Sequence, residues 1–309
     1  VRSTNDAGCG GTLTTIQTGL DNGAGGGVAK DGVLQLGEVT QPVRLCQPRV
    51  GTLLVKDINP GSSSSNPTDL VDVNGTLYFQ SSHVDSGYEL WRSDGTAAGT
   101  AMVKDLYPGT LSGRPTQLTN VNGTLFFRTD ATNGSVGSEL WRSDGTAAGT
   151  TMLKSMYTGP GSILTALTAV GPRLFFAAND GANGTELWVS DGSSLGTTLV
   201  KNISPAGSSN PGYLTRVGAA LYFQASDGTN GMELWRSYGT EADTEMVLNL
   251  DGASSGNPSH LTRVKDAVFF AATDAVSGTE LWRSDGATGV TAMVKDIAPG
   301  AIGADPKDM

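Results

Sequence analysis

The chain has 309 residues, 38% of them apolar and 43 of them glycine, with a net charge of −10 and a pI near 4.6. No stretch approaches the 18 or more apolar residues of a membrane-spanning helix. The acidic balance and the lack of a basic stripe argue against nucleic acid as a partner.

The first fifty residues stand apart from the rest. They begin at Val1, with neither an initiator Met nor the charged and apolar regions of a leader, which is the expectation for a secreted, mature protein. Both cysteines, Cys9 and Cys46, lie in this segment, and a paired count confined to one stretch points to a local disulfide. C-x-x-C spacing is absent, so zinc or thioredoxin-like chemistry gains no support. Strands are expected over 12–18 and 33–39, and counting back from Gly51 and Thr52 puts Gln41, Pro42, Val43 and Arg44 on a third.

From residue 51 to 300 the chain repeats. The phrase Gly-x-Glu-Leu-Trp recurs at Glu89, Glu139, Glu186, Glu233 and Glu280, at spacings of 50, 47, 47 and 47 residues. Each unit holds four short runs rich in Val, Leu, Phe, Tyr, Trp and Thr, punctuated by Gly, Asn, Asp or Pro, the pattern of antiparallel strands. Asn74-Gly75 and Asn122-Gly123 separate the first two runs as tight hairpin turns, and Asp94-Gly95, Asp144-Gly145, Asp191-Gly192 and Asp285-Gly286 mark a later turn. Four strands in about 47 residues is the size of a propeller blade. The expected fold is therefore an all-β propeller of four-stranded blades, about six in number. Five would carry the Glu-Leu-Trp strand, and an irregular first blade would draw on residues 1–50, which either complete it or exchange with a neighbouring molecule. Residues 305–309 line up with 66–70, the start of a further unit or a C-terminal tail over 301–309.

In a strand Glu89 and Trp91 face one way and Leu90 and Arg92 the other. All five tryptophans, Trp91, Trp141, Trp188, Trp235 and Trp282, sit in this motif, so they read as packing between blades rather than as a ring of sugar platforms. The five glutamates read as structural acceptors, with the repeated Arg and Lys side chains or backbone N–H groups as partners. The loops around Asp180, Asp227 and Asp274 are where calcium would bind, but each offers one carboxylate and reads as a plain turn; no cofactor is expected. His83 and His260 fall at unrelated unit positions, and no nucleophile elbow, phosphate loop or zinc motif is present. A ligand or partner site should use residues that depart from the repeat, and Tyr88, Tyr107, Tyr157 and Tyr213 are the candidates for an exposed aromatic strip.

The string Glu89-Leu-Trp-Arg-Ser-Asp-Gly-Thr-Ala-Ala-Gly-Thr100 and its copy from Glu139 to Thr150 resemble the ELWxxDGT repeat family of secreted and surface bacterial proteins. Departures are Tyr238 for the turn Asp, Asp243 for the second Gly, Ala287 for Thr and Val290 for Gly. The resemblance implies an extracellular or cell-surface location and repeat architecture, with no catalytic activity to carry over. The resulting expectation is a non-enzymatic structural or adhesive protein that self-assembles by strand exchange or binds a surface glycan or protein. A lectin-like module is one alternative. The other is an extracellular hydrolase or lyase, which would need His83 or His260 beside carboxylates at the propeller's central channel.

Overall fold

The computed structural model describes residues 2–5, 12–19, 39–46, 52–109, 111–129, 137–156, 163–250, 252, 254–285, 290–301 and 303–307. The chain divides into two compact units, 1–54 and 55–309. In the first, β1 (Arg2–Asn5), β2 (Thr12–Gly19) and β3 (Val39–Cys46) form a three-stranded antiparallel sheet in that order. The strands expected over 12–18 and 41–44 lie within β2 and β3; most of the one expected over 33–39, and the Cys9 partner of the anticipated disulfide, lie outside the described residues.

The second unit holds five four-stranded antiparallel sheets and, among the described residues, no helix. Blade 1 is β4 (Thr68–Val73), β5 (Thr76–His83), β6 (Gly87–Ser93) and β7 (Ala101–Lys104). Blade 2 is β8 (Thr116–Val121), β9 (Thr124–Thr129), β10 (Glu139–Ser143) and β11 (Thr151–Ser155). Blade 3 is β12 (Leu164–Val170), β13 (Arg173–Asn179), β14 (Thr185–Ser190) and β15 (Thr198–Lys201). Blade 4 is β16 (Gly212–Val217), β17 (Ala220–Ser226), β18 (Met232–Ser237) and β19 (Glu245–Leu248). Blade 5 is β20 (Ser259–Val264), β21 (Ala267–Asp274), β22 (Gly278–Ser284) and β23 (Thr291–Lys295). Each blade is a meander in chain order, and the first strands β4, β8, β12, β16 and β20 are neighbours in succession, which places them on the propeller axis.

The count of about six blades is corrected to five. The N-terminal segment pairs as a three-stranded sheet, and residues 52–57, which match the last strand of the repeat, run without ladder partners. The side chains of that stretch nonetheless behave as the repeat requires. Lys56 Nζ donates to Thr100 O at 2.7 Å, and Ile58 packs with Phe79 and Trp91.

The core lies between blades. Strand alternation sends Leu125 and Phe127 into a cluster with Val73, Tyr78, Leu90 and Val103 of blade 1, while their neighbour Phe126 joins Leu140, Leu174, Phe176 and Trp188 on the other face. Trp141, Trp188, Trp235 and Trp282 are each 5–9% exposed and pack against the preceding blade. Phe127 stacks on Trp141 and Phe176 on Trp188, with ring centroids 6.2 and 6.5 Å apart.

The repeated hydrophilic residues lock these layers. Lys104 Nζ donates to Thr150 O at 2.8 Å and Lys201 Nζ to Thr244 O at 2.9 Å, both on the following blade. Arg92 Nη1 donates to Gly145 O at 3.0 Å and Arg142 Nη1 to Gly192 O at 2.8 Å. These Arg and Lys side chains thus bind carbonyls of the next blade, whereas Arg236 pairs with Glu245 of its own blade, and the buried Glu89, Glu186 and Glu280 take backbone N–H groups instead. Glu89 accepts from Leu106 N and Gly113 N, each at 2.8 Å; Glu186 accepts from Ile203, Ser204 and Ser209; Glu280 accepts from Ile297, Ala298 and Ala304. Each such carboxylate fastens the crossover that carries the chain toward the next blade.

The Ser-Asp-Gly-Thr string is a hydrogen-bonded knot. Asp94 Oδ1 accepts from Thr96 N and Oγ1, Thr96 Oγ1 accepts from Gly99 N, and Thr100 Oγ1 donates to Thr96 O. A Cβ on Gly99 would lie 2.1 Å from the Asp94 carboxyl, so glycine is required there. In blade 4, Tyr238 replaces that aspartate and Asp243 replaces that glycine. Asp243 Oδ1 then accepts from Tyr238 N and Thr240 N, so the carboxylate has moved to the other end of the loop and still caps it. The two departures from the repeat compensate each other.

Candidate functional site

The first strand of every blade breaks register at one place: between Thr68 and Val71, Thr116 and Thr119, Thr165 and Thr168, Gly212 and Thr215, and Ser259 and Thr262. Such a bulge inserts an extra residue and re-aims its side chain. At each bulge one non-glycine residue holds a left-handed φ: Asp69 at 53°, Gln117 at 53°, Ala166 at 59°, Tyr213 at 53° and His260 at 53°. L-residues adopt this conformation at a cost of ~1 kcal/mol or more each, which the bulge sustains in all five blades. The backbone is constant and the side chain is not. In a repeat that otherwise holds its residue types, this axial position carries a carboxylate, an amide, a methyl, a phenol and an imidazole.

Two sides of the axis differ. On the first, Asp69 Oδ1 accepts from Gln117 N at 3.1 Å, Gln117 Nε2 donates to Thr165 Oγ1 at 3.2 Å, and Gln117 Oε1 accepts from Leu167 N at 3.2 Å. These side chains bridge blades 1 to 3 and are committed to backbone and hydroxyl partners. Ala166 ends the series, having no polar atom to pass on. Beyond it, Tyr213 is 47% exposed and its ring centre lies 5.9 Å from that of His260, also exposed, with an interplanar angle of 45°. The pair offers a phenol and an imidazole side by side.

Of the three candidate tyrosines among the described residues, only Tyr213 stands on the axis. Tyr88 lies on β6, half-buried, with Arg114 over its ring at 6.0 Å and Asn66 Nδ2 3.4 Å from its hydroxyl. The reading of Tyr107 as an exposed contact is corrected: it is half-buried and donates to Glu139 Oε2, which also accepts from Trp141 Nε1 and Thr129 Oγ1. Burial, then the bond to Glu139, push its phenol above the usual tyrosine range. Tyr157 lies outside the described residues. The three described tyrosines therefore do not form one strip. His83 lies on β5, where its ring is 6.4 Å from that of Trp91 and its Nδ1 is 3.8 Å from the exposed Asp85. It does not share the bulge position of His260.

The loops considered for calcium are self-satisfied. Asp180 accepts from Ala182 N and Asn183 N through Oδ1 and from Asn183 Nδ2 through Oδ2, and Asp227 repeats this with Thr229 and Asn230. Among the described residues no three His, Cys, Asp or Glu side chains gather to hold a metal.

Sequence reasoning missed the axial set, although a signal existed. Asp69, Gln117, Tyr213 and His260 each stand two residues after a proline, at Pro67, Pro115, Pro211 and Pro258, so alignment on the prolines would have put His260 and Tyr213 in one column.

No family model matches the chain, and no curated protein does. Solved structures do. A puromycin hydrolase aligns at 15% identity and a TM-score of 0.49, covering 81% of this chain and 40% of the hydrolase. A Mycobacterium tuberculosis puromycin-hydrolyzing peptidase aligns at 10% identity and 0.48, covering 99% of this chain and 46% of its own. A TolB from Agrobacterium tumefaciens aligns at 15% and 0.40, covering 74% and 79%. The chain thus spans less than half of the length of the two hydrolytic proteins. At these identities the likeness shows the fold alone, a β-propeller. The expectation of a non-enzymatic structural or adhesive surface protein is corrected here, because the solved structures that match include peptidases.

Proposed function

We propose that the five-blade unit is a substrate-binding propeller of a secreted, hydrolase-type protein, and that it takes its substrate on the axis at Tyr213 and His260. The observation that carries this reading is the variation of side chain at a constant axial bulge, ending in an exposed phenol and imidazole. Binding sites commonly combine a rigid scaffold with a few convergent polar groups.

The chemistry of the pair favours a peptide-type substrate over a sugar. Two rings inclined at 45° make no single flat platform for a pyranose face, whereas phenol O–H and imidazole nitrogen suit the carbonyls and N–H groups of an extended peptide. The buried tryptophans are committed to blade packing, which weakens a lectin-like reading further. His260 would position the substrate and exchange a proton with it.

The test is equilibrium binding of a short-peptide panel and an oligosaccharide panel to the intact protein, His260→Ala and Tyr213→Ala. Saturable binding of peptides that weakens about tenfold in each variant, without loss of thermal stability, is the expected result. Binding of sugars only, or peptide binding indifferent to both substitutions, would overturn the reading.

A further inference from the structure

Near the axis, blades 1 and 2 are each tied to the next blade by two side chains. One belongs to the bulge residue. The other belongs to the second-strand residue paired with the position before the bulge: Gln80 opposite Thr68, Arg128 opposite Thr116, Ala177 opposite Thr165, Gln224 opposite Gly212 and Ala271 opposite Ser259.

Blade 1 shows what the two side chains supply. Asp69 Oδ1 accepts from Gln117 N and Gln80 Nε2 donates to Pro115 O, both at 3.1 Å. A carboxylate and an amide N–H of blade 1 thus satisfy a donor and an acceptor in the main chain of blade 2. Blade 2 ties itself to blade 3 in the same way: Gln117 Oε1 accepts from Leu167 N at 3.2 Å, and Arg128 Nη1 donates to Leu164 O at 2.6 Å.

Blade 3 has alanine at both places, Ala166 and Ala177. A methyl group can neither accept from Tyr213 N nor donate to Pro211 O, the counterparts in blade 4 of Gln117 N and Pro115 O. The bulge itself is unchanged: Tyr213 has the same φ of 53° as Gln117, and the register breaks between Gly212 and Thr215 as it does between Thr116 and Thr119. Gly212, standing where blades 2 and 3 have Thr116 and Thr165, removes a further side chain from the same spot. Where blades 1 and 2 reach across with polar side chains, blade 3 therefore leaves a notch beside the exposed Tyr213. Backbone N–H groups around a left-handed residue form concavities that bind anions.

We propose that this notch receives the C-terminal residue of a peptide. The terminal carboxylate would accept from Tyr213 N, as Asp69 accepts from Gln117 N. The amide N–H of the same residue would donate to Pro211 O, as Gln80 donates to Pro115 O. Capture of a terminal carboxylate by backbone groups is a recurring mode of peptide recognition. The proposal rests on the reading of Tyr213 and His260 as a peptide-binding pair, and it adds a direction and a substrate class. The peptide would end at blade 3, its preceding residues would lie over Tyr213 and His260, and its α-carboxyl group must be free.

The peptide panel, with each member made as the free acid and as the C-terminal amide, tests this by equilibrium binding to the intact protein and to Ala166→Asn. Asparagine accommodates the left-handed φ of 59° at this position and gives blade 3 an acceptor for Tyr213 N, closing the notch from within. Free acids should bind at least about tenfold more tightly than their amides, and Ala166→Asn should abolish that preference. Equal binding of acid and amide, or a preference that survives in Ala166→Asn, would overturn the notch and leave the Tyr213–His260 reading standing. An amide that regains the lost affinity through a glutamate side chain would also overturn it, since the site would then take any carboxylate. Absence of binding by every peptide would overturn both readings.

Discussion

The ammonium of Lys104 on blade 1 donates to the backbone carbonyl of Thr150 on blade 2 at 2.8 Å while standing 5.7 Å from the centre of the Trp141 ring. One side chain thereby satisfies a buried acceptor, makes a cation–π contact and covers an indole face. Lys104→Met should keep the packing but leave the carbonyl of the fully buried Thr150 without its donor, at a cost of about 1–3 kcal/mol. Urea unfolding checks this. Lys265→Met, on the surface of blade 5, should change stability by less than about 0.5 kcal/mol.

Glycine at the Asp-Gly turn has two separable duties. Gly95 and Gly145 hold φ of 90° and 89°, so alanine strains both equally, but only at Gly145 would the new methyl strike the Tyr78 hydroxyl. Gly95→Ala should cost about 1–2 kcal/mol from backbone strain. Gly145→Ala should cost a further ~1–3 kcal/mol from overpacking. Equal losses in the two variants would show that the blade contact does not constrain the turn.

The pH dependence of stability should carry the signature of Glu89. Burial raises its carboxyl to about 7, against the opposing pull of the Leu106 and Gly113 N–H groups, and Glu186 is raised for the same first reason. A carboxyl whose folded pKa exceeds its unfolded value binds more protons when folded. Its contribution is full below about 4.5 and is lost as pH rises through 7. Stability should therefore fall between pH 5 and pH 7.5 by roughly 2 kcal/mol, and Glu89→Gln should flatten that slope. Denaturation midpoints across this range, in both proteins, decide it; a slope that survives the substitution places its origin elsewhere.

Tyr107→Phe should remove the donor to the buried Glu139 and cost about 1–3 kcal/mol, since bonds to charged groups are among the stronger ones. Tyr88→Phe gives up only a long contact with the exposed Asn66 and should be near neutral. Thermal unfolding of the two single variants measures the difference, and equal shifts would argue against an anchoring bond at Tyr107.

Much of this was legible in the sequence. The 47-residue period, the Asn-Gly and Asp-Gly turns and the alternation of Leu125, Phe126 and Phe127 predict four-stranded blades, because local turn chemistry and strand periodicity act through near neighbours. The packing role of Trp141 and Trp188 was legible for the same reason, as a residue needed at every interface recurs in every unit. Three things were not. The arginine bonds between blades join residues 50 or more positions apart, such as Arg142 and Gly192, and no local pattern pairs them. The exchange of Tyr238 and Asp243 appears as two defects until the loop brings them together. The axial site is hidden because a bulge changes which side chain faces inward without altering composition, so in the sequence Tyr213 reads as a loose aromatic and His260 as a stray histidine.

The most direct measurement uses the fact that the chain has only two histidines. With imidazole-labelled protein, titration of a peptide panel should move and saturate the His260 signal while the His83 signal, beside Trp91, stays in place. If neither signal responds to any peptide, or both drift together without saturation, the axis is not a binding site.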